Sequence, residues 1–153
     1  VKNSADFIGL NYYTHVLTSP FLPQTTEIDL PARKHETVTE FGYTMYPEGM
    51  IRATKWLSKL KIPIEITENG VADANDSLRP KHLEMHLWMI SKLIADNVNI
   101  RSYYHWSLMD NFEWAEGYSM RFGLYHVDYE TQKRTLRNSG KLYQKLISTH
   151  RKK

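Results

Sequence analysis

The stretch PIEITENG, residues 63–70, is a short apolar strand that ends in a carboxylate. Isoleucines alternate with polar residues as far as Glu68, and Asn69 and Gly70 then interrupt the pattern. In proteins built on parallel sheets, ligands and chemistry collect at the carboxyl ends of the strands. Glu68 is therefore either a catalytic residue at such a strand end or the first polar residue of a loop. Glu65, three residues earlier, is predicted to point to the opposite strand face, toward a helix or an ion-pair partner.

Segments of strand and helix character alternate on both sides of this stretch. Runs of aliphatic, β-branched and aromatic residues predict strands at 6–14, 62–67 and 99–108. Helical periodicity predicts helices at 46–61, 78–97 and 139–150. The order strand, helix, strand, helix, strand, helix indicates parallel strands joined by right-handed crossovers, which is an α/β fold.

The remaining segments and the buried helix faces follow from the same patterns. The polar, Pro-containing stretch 19–39 lacks periodicity and is predicted to be a long loop. Alternation about a polar turn in residues 122–137 predicts a β-hairpin after the last strand. The helix residues predicted to face the sheet are Met50, Thr54, Leu57, Leu60, Leu83, Leu87, Ile90, Ile94, Leu142, Leu146 and Ile147.

Three strands are too few to close a parallel barrel, which needs eight strands and about 250 residues. Such a unit would also leave two sheet edges without an obvious cover. We therefore expect residues 1–153 to be a partial single domain. It would be the C-terminal portion of a β/α (TIM) barrel whose N-terminal portion is absent from this sequence.

Composition argues against several other classes of protein. The sequence has no cysteine, and its seven histidines show no metal-ligand spacing, so neither a metal nor another cofactor is expected. The net charge of +3 comes without a basic cluster, which argues against a nucleic-acid partner. No run of about 18 apolar residues predicts a membrane span, and the first residues lack the apolar core of a signal peptide. A cytoplasmic location is the resulting expectation.

The ends of the predicted strands carry polar and aromatic side chains. The first strand ends in Asn11, Tyr12 and Tyr13, and the third ends in Trp106. The following loop, SLMDNFEWAEGYSMRFG at 107–123, mixes carboxylates with aromatic rings. Carboxylates hydrogen-bond sugar hydroxyls, and the apolar face of a pyranose packs on an aromatic ring. A carboxylate can also attack an anomeric carbon or protonate a leaving oxygen, so these residues suit the hydrolysis of a glycoside.

Four motifs in this order resemble the C-terminal part of family 1 glycoside hydrolases, the β-glucosidase family. They are FIGLNYYT, ITENG, HWSLMDNFEWAEGY and RFGLYHVDY, and the resemblance runs from about residue 5 to residue 148. The family fold is an eight-stranded β/α barrel. The resemblance therefore implies that the three strand–helix units are its sixth, seventh and eighth.

The resemblance also implies roles for particular residues. Glu68 matches the nucleophile that forms a covalent glycosyl-enzyme intermediate, and Tyr13 matches the tyrosine that hydrogen-bonds this nucleophile. The residues that match sugar-binding positions of the family are Asn11, Trp106, Glu113, Trp114 and Phe122.

The five matching sugar-binding residues differ in what they are expected to contact. Asn11 would line the pocket, and Trp106 would form the platform under the bound sugar. Glu113 would bind the 4- and 6-hydroxyls, and Trp114 would donate to a neighbouring hydroxyl. Phe122 would wall the pocket toward the aglycone. Because Glu113 would repel a 6-phosphate, the expected substrate is an unphosphorylated small-molecule or oligosaccharide β-glycoside.

One required group is missing from the sequence. Retaining glycosidases use two carboxylates about 5 Å apart, and the family's acid/base lies in an Asn-Glu-Pro motif that does not occur in these 153 residues. Two interpretations remain open. The chain is part of a retaining β-glycosidase, with the N-terminal part of the barrel as its partner and no appreciable activity alone. Alternatively, it is a non-catalytic remnant that binds sugars or associates with another protein.

Overall fold

The computed structural model describes residues 4–16 and 34–150 and has an α/β architecture. One sheet contains three parallel strands in the order β1 (Ile8–Asn11), β2 (Ile64–Asn69) and β3 (Ile100–His105). The helices are α1 (Pro47–Leu57), α2 (Arg79–Ala95) and α3 (Asn138–His150). Between β3 and α3, two short strands pair antiparallel: β4 (Tyr125–Val127) and β5 (Arg134–Leu136). Each parallel strand is thus followed along the chain by a helix, as the α/β prediction requires.

The observed elements are shorter than the predicted segments at most of their ends. Two ends are exceptions: β2 continues two residues past the predicted end at 67 and includes Glu68 and Asn69, and α3 begins one residue before the predicted start at 139. After α1, residues Ser58–Leu60 form a 3₁₀ turn instead of continuing the α-helix. Residues 19–33 of the predicted loop 19–39 lie outside the described residues.

The start of α2 is determined by a side chain from the preceding loop. Oδ2 of Asp73 accepts hydrogen bonds from the backbone N–H groups of Leu78, at 2.7 Å, and Arg79, at 2.9 Å. These N–H groups have no partner within the helix, so the carboxylate satisfies donors that would otherwise be unpaired. Pro80 in the first turn suits a helix start, and Asn97 with a φ of 61° follows the helix end.

The hydrophobic core lies between the sheet and the helices α1 and α2. Its centre is formed by the buried residues Tyr12, Met50, Ile64, Ile66 and Ile90. Both isoleucines of β2 therefore point toward the helices, and full burial of each is worth about 1.5–3 kcal/mol. The alternation that predicted this strand thus also identifies its helix-facing side.

Three of the helix residues predicted to face the sheet are exposed instead. Leu60, Ile94 and Ile147 expose 56%, 52% and 50% of their surface. Leu60 follows the change from α-helix to 3₁₀ turn, which ends the periodicity that the prediction assumed. Ile94 and Ile147 line a groove between α2 and α3, so they flank the interface of these helices rather than the sheet. Within the described residues, no helix combines the length and apolarity of a membrane span.

Candidate active site

Glu68 and Tyr13 meet at the carboxyl ends of two neighbouring strands. The Tyr13 hydroxyl donates a hydrogen bond to Oε2 of Glu68 at 2.9 Å. Burial raises the pKa of Tyr13 well above its ordinary value, and the hydrogen bond and negative charge of Glu68 raise it further. The phenol therefore stays protonated at neutral pH and acts as a donor to the carboxylate.

A shift in strand register determines which way Glu68 points. Strict alternation would place it on the same face as Ile64 and Ile66, which is the face packed against the helices. However, β1 pairs Leu10 with Ile66 and the next residue, Asn11, with Glu68, so the pairing skips one residue of β2. Because a bulge of this kind turns the following side chain to the other face, Glu68 points away from the core and toward Tyr13.

The residues beside Glu68 agree with this arrangement. Thr67, the skipped residue, donates from Oγ1 to Oδ1 of Asn11 at 2.7 Å, on the face of the sheet away from the helices. Glu65 lies between the two helix-facing isoleucines and so occupies the same outer face. The prediction that Glu65 and Glu68 lie on opposite faces is therefore wrong, and of the two expected surroundings of Glu65, a helix or an ion-pair partner, the outer face does not fit the helix. The register shift is the physical reason.

Trp106 and Glu113 form a second pair beside the first. Nε1 of Trp106 donates to Oε2 of Glu113 at 3.4 Å. Trp106 directly follows β3, and its backbone N–H donates to the carbonyl of Asn69 at 2.9 Å. Burial and the interaction with Glu68 are the larger causes of the raised pKa of Tyr13, and the charge of Glu113 raises it further. The Glu113 carboxylate therefore lies close to the Tyr13 phenol. The two pairs therefore belong to one site.

Phe122 belongs to a group of aromatic rings around Tyr13. It is 4% exposed, and its ring packs edge-on against Tyr13 with the centroids 6.3 Å apart. The ring centroid of Phe41 lies 5.8 Å from that of Phe122 and 4.6 Å from that of Tyr43. The ring centroid of Tyr43 in turn lies 6.2 Å from that of Tyr13. The sequence interpretation missed Phe41 and Tyr43, because they lie far along the chain from any strand end. The bridge between Val38 and Thr44 closes the segment that carries them, and the N–H of Ala74 donates to the carboxylate of Glu40 in that segment.

Asn11 and Trp114 are less integrated than the other predicted site residues. Asn11 is exposed and has its side-chain oxygen engaged by Thr67. Trp114 is 82% exposed at the start of a 3₁₀ turn with a φ of 41°. Among the described residues, its indole shares no hydrogen bond or ring contact with the other six predicted site residues.

Asp110 organises the loop that carries Trp106, Glu113 and Phe122. Its carboxylate is buried and accepts a hydrogen bond from the backbone N–H of Gly123 at 2.9 Å. The guanidinium of Arg137 donates to both of its oxygens, at 2.8 and 3.2 Å. The sequence interpretation grouped Asp110 with the sugar-binding carboxylates, but these contacts are internal to the fold.

We expect Asp110→Ala to lower the free energy of unfolding by about 3–5 kcal/mol, since it leaves the buried Arg137 guanidinium without its charge partner. Chemical denaturation followed by tryptophan fluorescence measures this change. Glu116→Ala, at an exposed position on the same loop, should change stability by less than about 0.5 kcal/mol. Similar stability for the two variants would contradict the structural role of Asp110.

Comparisons with known proteins identify the family and the fold that this chain resembles. The family model described as Glycosyl hydrolase family 1 matches residues 1–152. A β-galactosidase from Sulfolobus acidocaldarius is 35% identical over 160 residues, covering 98% of this chain and 33% of the relative. A β-glucosidase from Agrobacterium sp. is 39% identical over 163 residues, covering 97% and 35%. The crystal structure of a hyperthermophilic β-glucosidase from Pyrococcus furiosus is similar with a TM-score of 0.85 at 38% identity, covering 94% of this chain and 33% of that one.

A carboxylate and a tyrosine paired at the ends of parallel strands, beside a tryptophan and a second carboxylate, define an α/β protein with an enzyme-like site. The match over nearly the whole sequence then identifies the family: the chain belongs to glycosyl hydrolase family 1. It spans about a third of the length of the curated relatives it matches.

Proposed function

We propose that the chain forms the sixth, seventh and eighth β/α units of an eight-stranded barrel in a retaining β-glycosidase. Three parallel strands with a helix after each are the repeating unit of such a barrel. Neither β1 nor β3 has a second neighbour among the described strands, so each offers an edge to which further strands can pair. The relatives that match this chain along a third of their length are named β-galactosidase and β-glucosidase.

The observation that carries the proposal is the 2.9 Å hydrogen bond from Tyr13 to Glu68. In the proposed mechanism, Glu68 attacks the anomeric carbon and forms a glycosyl ester, which water then hydrolyses with net retention. Tyr13 holds Oε2 and leaves Oε1 to attack. When the ester breaks, the same hydroxyl stabilises the carboxylate that departs, and its raised pKa keeps its proton in place throughout.

Glu113 and Trp106 are the proposed centre of sugar recognition. The indole N–H of Trp106 orients the Glu113 carboxylate, whose remaining acceptor positions suit sugar hydroxyls. A carboxylate at this position repels a phosphorylated sugar, so the proposed substrates are unphosphorylated β-glycosides. Asn11, Trp114 and Phe122 complete the proposed sugar site, with Phe122 on the aglycone side.

We expect Glu113→Ala to reduce kcat/KM for an aryl β-glucoside by about 10- to 100-fold, because a hydrogen bond to a charged group contributes about 1.5–3 kcal/mol. The assay requires the chain together with the rest of the barrel. Thermal midpoints measured on the same samples separate recognition from folding. Glu116→Ala is the matched control, since it removes an exposed acid from the same loop. A loss of rate no larger than the loss of folded protein would make Glu113 structural.

The general acid of the proposed mechanism must come from outside this chain. General acid assistance contributes about 10²- to 10⁴-fold, and the expected Asn-Glu-Pro motif is absent from the sequence. We therefore expect residues 1–153 alone to hydrolyse no measurable alkyl β-glucoside. A mechanism-based fluoro-glycoside should label Glu68 slowly at most, since part of the sugar site is missing.

Complementation tests the proposed function directly. A separately produced segment of a family 1 relative, containing its first five β/α units and Asn-Glu-Pro motif, is mixed with residues 1–153. We expect hydrolysis to appear only in the mixture, and to be absent when the glutamate of that motif is replaced by glutamine. Robust hydrolysis by residues 1–153 alone would contradict the proposal. Binding between the segments without any hydrolysis would favour a non-catalytic interaction role.

A further inference from the structure

Asn69 is a completely buried polar residue next to Glu68, and its side chain links β2 with β3 and with the residue that follows β1. It is 0% exposed and lies beside an apolar core, although its side chain is polar. Nδ2 donates to the backbone carbonyl of Tyr12 at 2.7 Å, and the hydroxyl of Tyr103 donates to Oδ1 at 2.9 Å. The amide therefore links β2 to the residue after β1 and to β3.

Backbone hydrogen bonds tie the same three places to the proposed active site. The N–H of Tyr12 donates to the carbonyl of Glu68 at 2.9 Å, and the N–H of Trp106 donates to the carbonyl of Asn69 at 2.9 Å. Tyr12 directly precedes Tyr13 in the chain. Glu68 thus directly precedes Asn69, Trp106 is bonded to the carbonyl of Asn69, and Tyr13 follows Tyr12, which is bonded to the Asn69 side chain.

The register shift of β2 explains why a polar residue occupies this buried position. The shift turns Glu68 to the outer face and leaves the next helix-facing position to residue 69. The pairing of β2 with β3 is irregular over the same residues, between Ile66 and Asn69. A one-residue slip back to regular pairing would reverse these side chains. An amide bonded on both sides opposes the slip, because a displaced Asn69 would leave its own groups and the buried Tyr103 hydroxyl unpaired.

We propose that Asn69 is a positioning residue, whose amide holds the shifted register of β2 and thereby directs Glu68 toward Tyr13. This inference rests on the proposed function in one respect, namely that Glu68 is the group that must be directed. Asn69 itself touches no substrate in this scheme. Its effect is on the placement of the nucleophile, where a displacement of about 1 Å can reduce a rate about 100-fold.

Amide hydrogen exchange in the 153-residue chain tests the register lock without any activity assay. The readouts are the N–H groups of Tyr12 and Trp106. We expect Asn69→Leu, which keeps the branched shape and the number of heavy atoms but has no polar group, to accelerate exchange at both by about 30-fold or more. Tyr103→Phe should have a smaller effect at both amides. Leu83→Ala, which changes a buried residue of α2, is the control for general destabilisation. It should accelerate exchange in α2 at least as much as Asn69→Leu does.

Kinetics of the complemented enzyme test the consequence for catalysis. We expect Asn69→Leu to lower kcat about 100-fold with a change in KM below about 3-fold, since the contacts of Glu113 remain. Leu83→Ala should leave the kcat of the folded fraction unchanged. The inference would be overturned if Asn69→Leu left exchange at both amides unchanged or left kcat unchanged. It would also be overturned if neither amide were protected in the unsubstituted chain. Full hydrolysis by Glu68→Gln would instead overturn the proposed nucleophile and leave the register argument standing.

Discussion

Replacing Glu68 by glutamine in the complemented enzyme is expected to remove at least about 10³-fold of the hydrolytic rate, because the covalent route is lost. Glutamine retains the shape of the side chain and can still accept a hydrogen bond from Tyr13, so binding of the sugar should persist. Steady-state hydrolysis of an aryl β-glucoside gives the rate, and calorimetric titration with a slowly hydrolysed inhibitor gives the affinity.

Glu65→Gln is a matched control for this experiment. Glu65 lies on the same strand and the same face as Glu68, but three residues before it. The Tyr13 hydroxyl donates to Glu68. Its substitution should leave hydrolysis within about threefold of the unsubstituted enzyme. If Glu68→Gln kept more than about a tenth of the activity, the assignment of the nucleophile would be wrong. Such an activity would mean that the substitution raises the activation free energy by less than about 1.4 kcal/mol.

Glu68→Gly adds a positive signal to this loss of function. Removal of the side chain leaves space for a small anionic nucleophile such as azide at the position of the carboxylate. Attack from that side should give an α-glycosyl azide from an activated β-glycoside, detectable by mass spectrometry and NMR. Azide should not restore product formation to Glu113→Ala.

Acidification below about pH 6.5 should destabilise the chain steeply, because three histidines are buried in the fold. His82 and His86 lie one turn apart on α2 with ring centroids 4.0 Å apart, and they are 1% and 0% exposed. Among the described residues, neither ring nitrogen of His82 has a hydrogen-bond partner, nor does Nε2 of His86. His105 of β3 packs 6.2 Å from the ring of Tyr143 on α3, away from the candidate site.

Burial is the main reason why these histidines resist protonation. It lowers the pKa of His82 well below the ordinary value and lowers the pKa of His86 to about 4. Burial, with a contribution from the Arg79 guanidinium, lowers the pKa of His105 to about 3. The charged groups that act on the cluster are Arg79, Glu48 and Asp76. The two carboxylates oppose the lowering without reversing it.

The direction of the pH effect follows from these shifts. Above about pH 6.5 the three histidines are neutral in both the folded and the unfolded chain, so they impose no penalty. As the pH falls below 6.5, the unfolded chain binds protons that the folded chain does not bind until its histidines titrate, at about pH 4 for His86 and about pH 3 for His105. The loss of stability per pH unit should therefore steepen as the pH falls and approach about 1.4 kcal/mol for each histidine, or about 4 kcal/mol together.

Denaturant unfolding at a series of pH values between 7 and 5 measures this slope. Substituting one buried histidine by glutamine should reduce the slope by about a third, whatever its effect on stability at pH 7. His150→Gln, at an exposed position on α3, should leave the slope unchanged. A stability independent of pH over this range would show that the buried histidines are not linked to folding.

Local sequence patterns were sufficient for the order and type of the main elements. The isoleucines of β2 alternate because one strand face packs against helices, and this pattern requires no knowledge of the partners. The same holds for Met50 and Leu83, which were predicted to be buried and are 0% exposed. Motifs at the strand ends were also sufficient to nominate Glu68, Tyr13, Trp106 and Glu113, which the structure brings into one site.

The tertiary structure alone decided which face Glu68 occupies, what surrounds it and which helix residues are buried. The register shift of β2 depends on hydrogen bonds to β1 and β3, which lie about 30 to 60 residues away in the chain. Phe41 joins the site by packing against Phe122 and Tyr43 by packing against Tyr13, and no local period marks either residue. Ile94 and Ile147 fit a helical stripe, but the position of α2 beside α3 leaves them at a groove. Periodicity reports that a side chain has a preferred face, whereas pairing and packing between distant segments decide what that face meets.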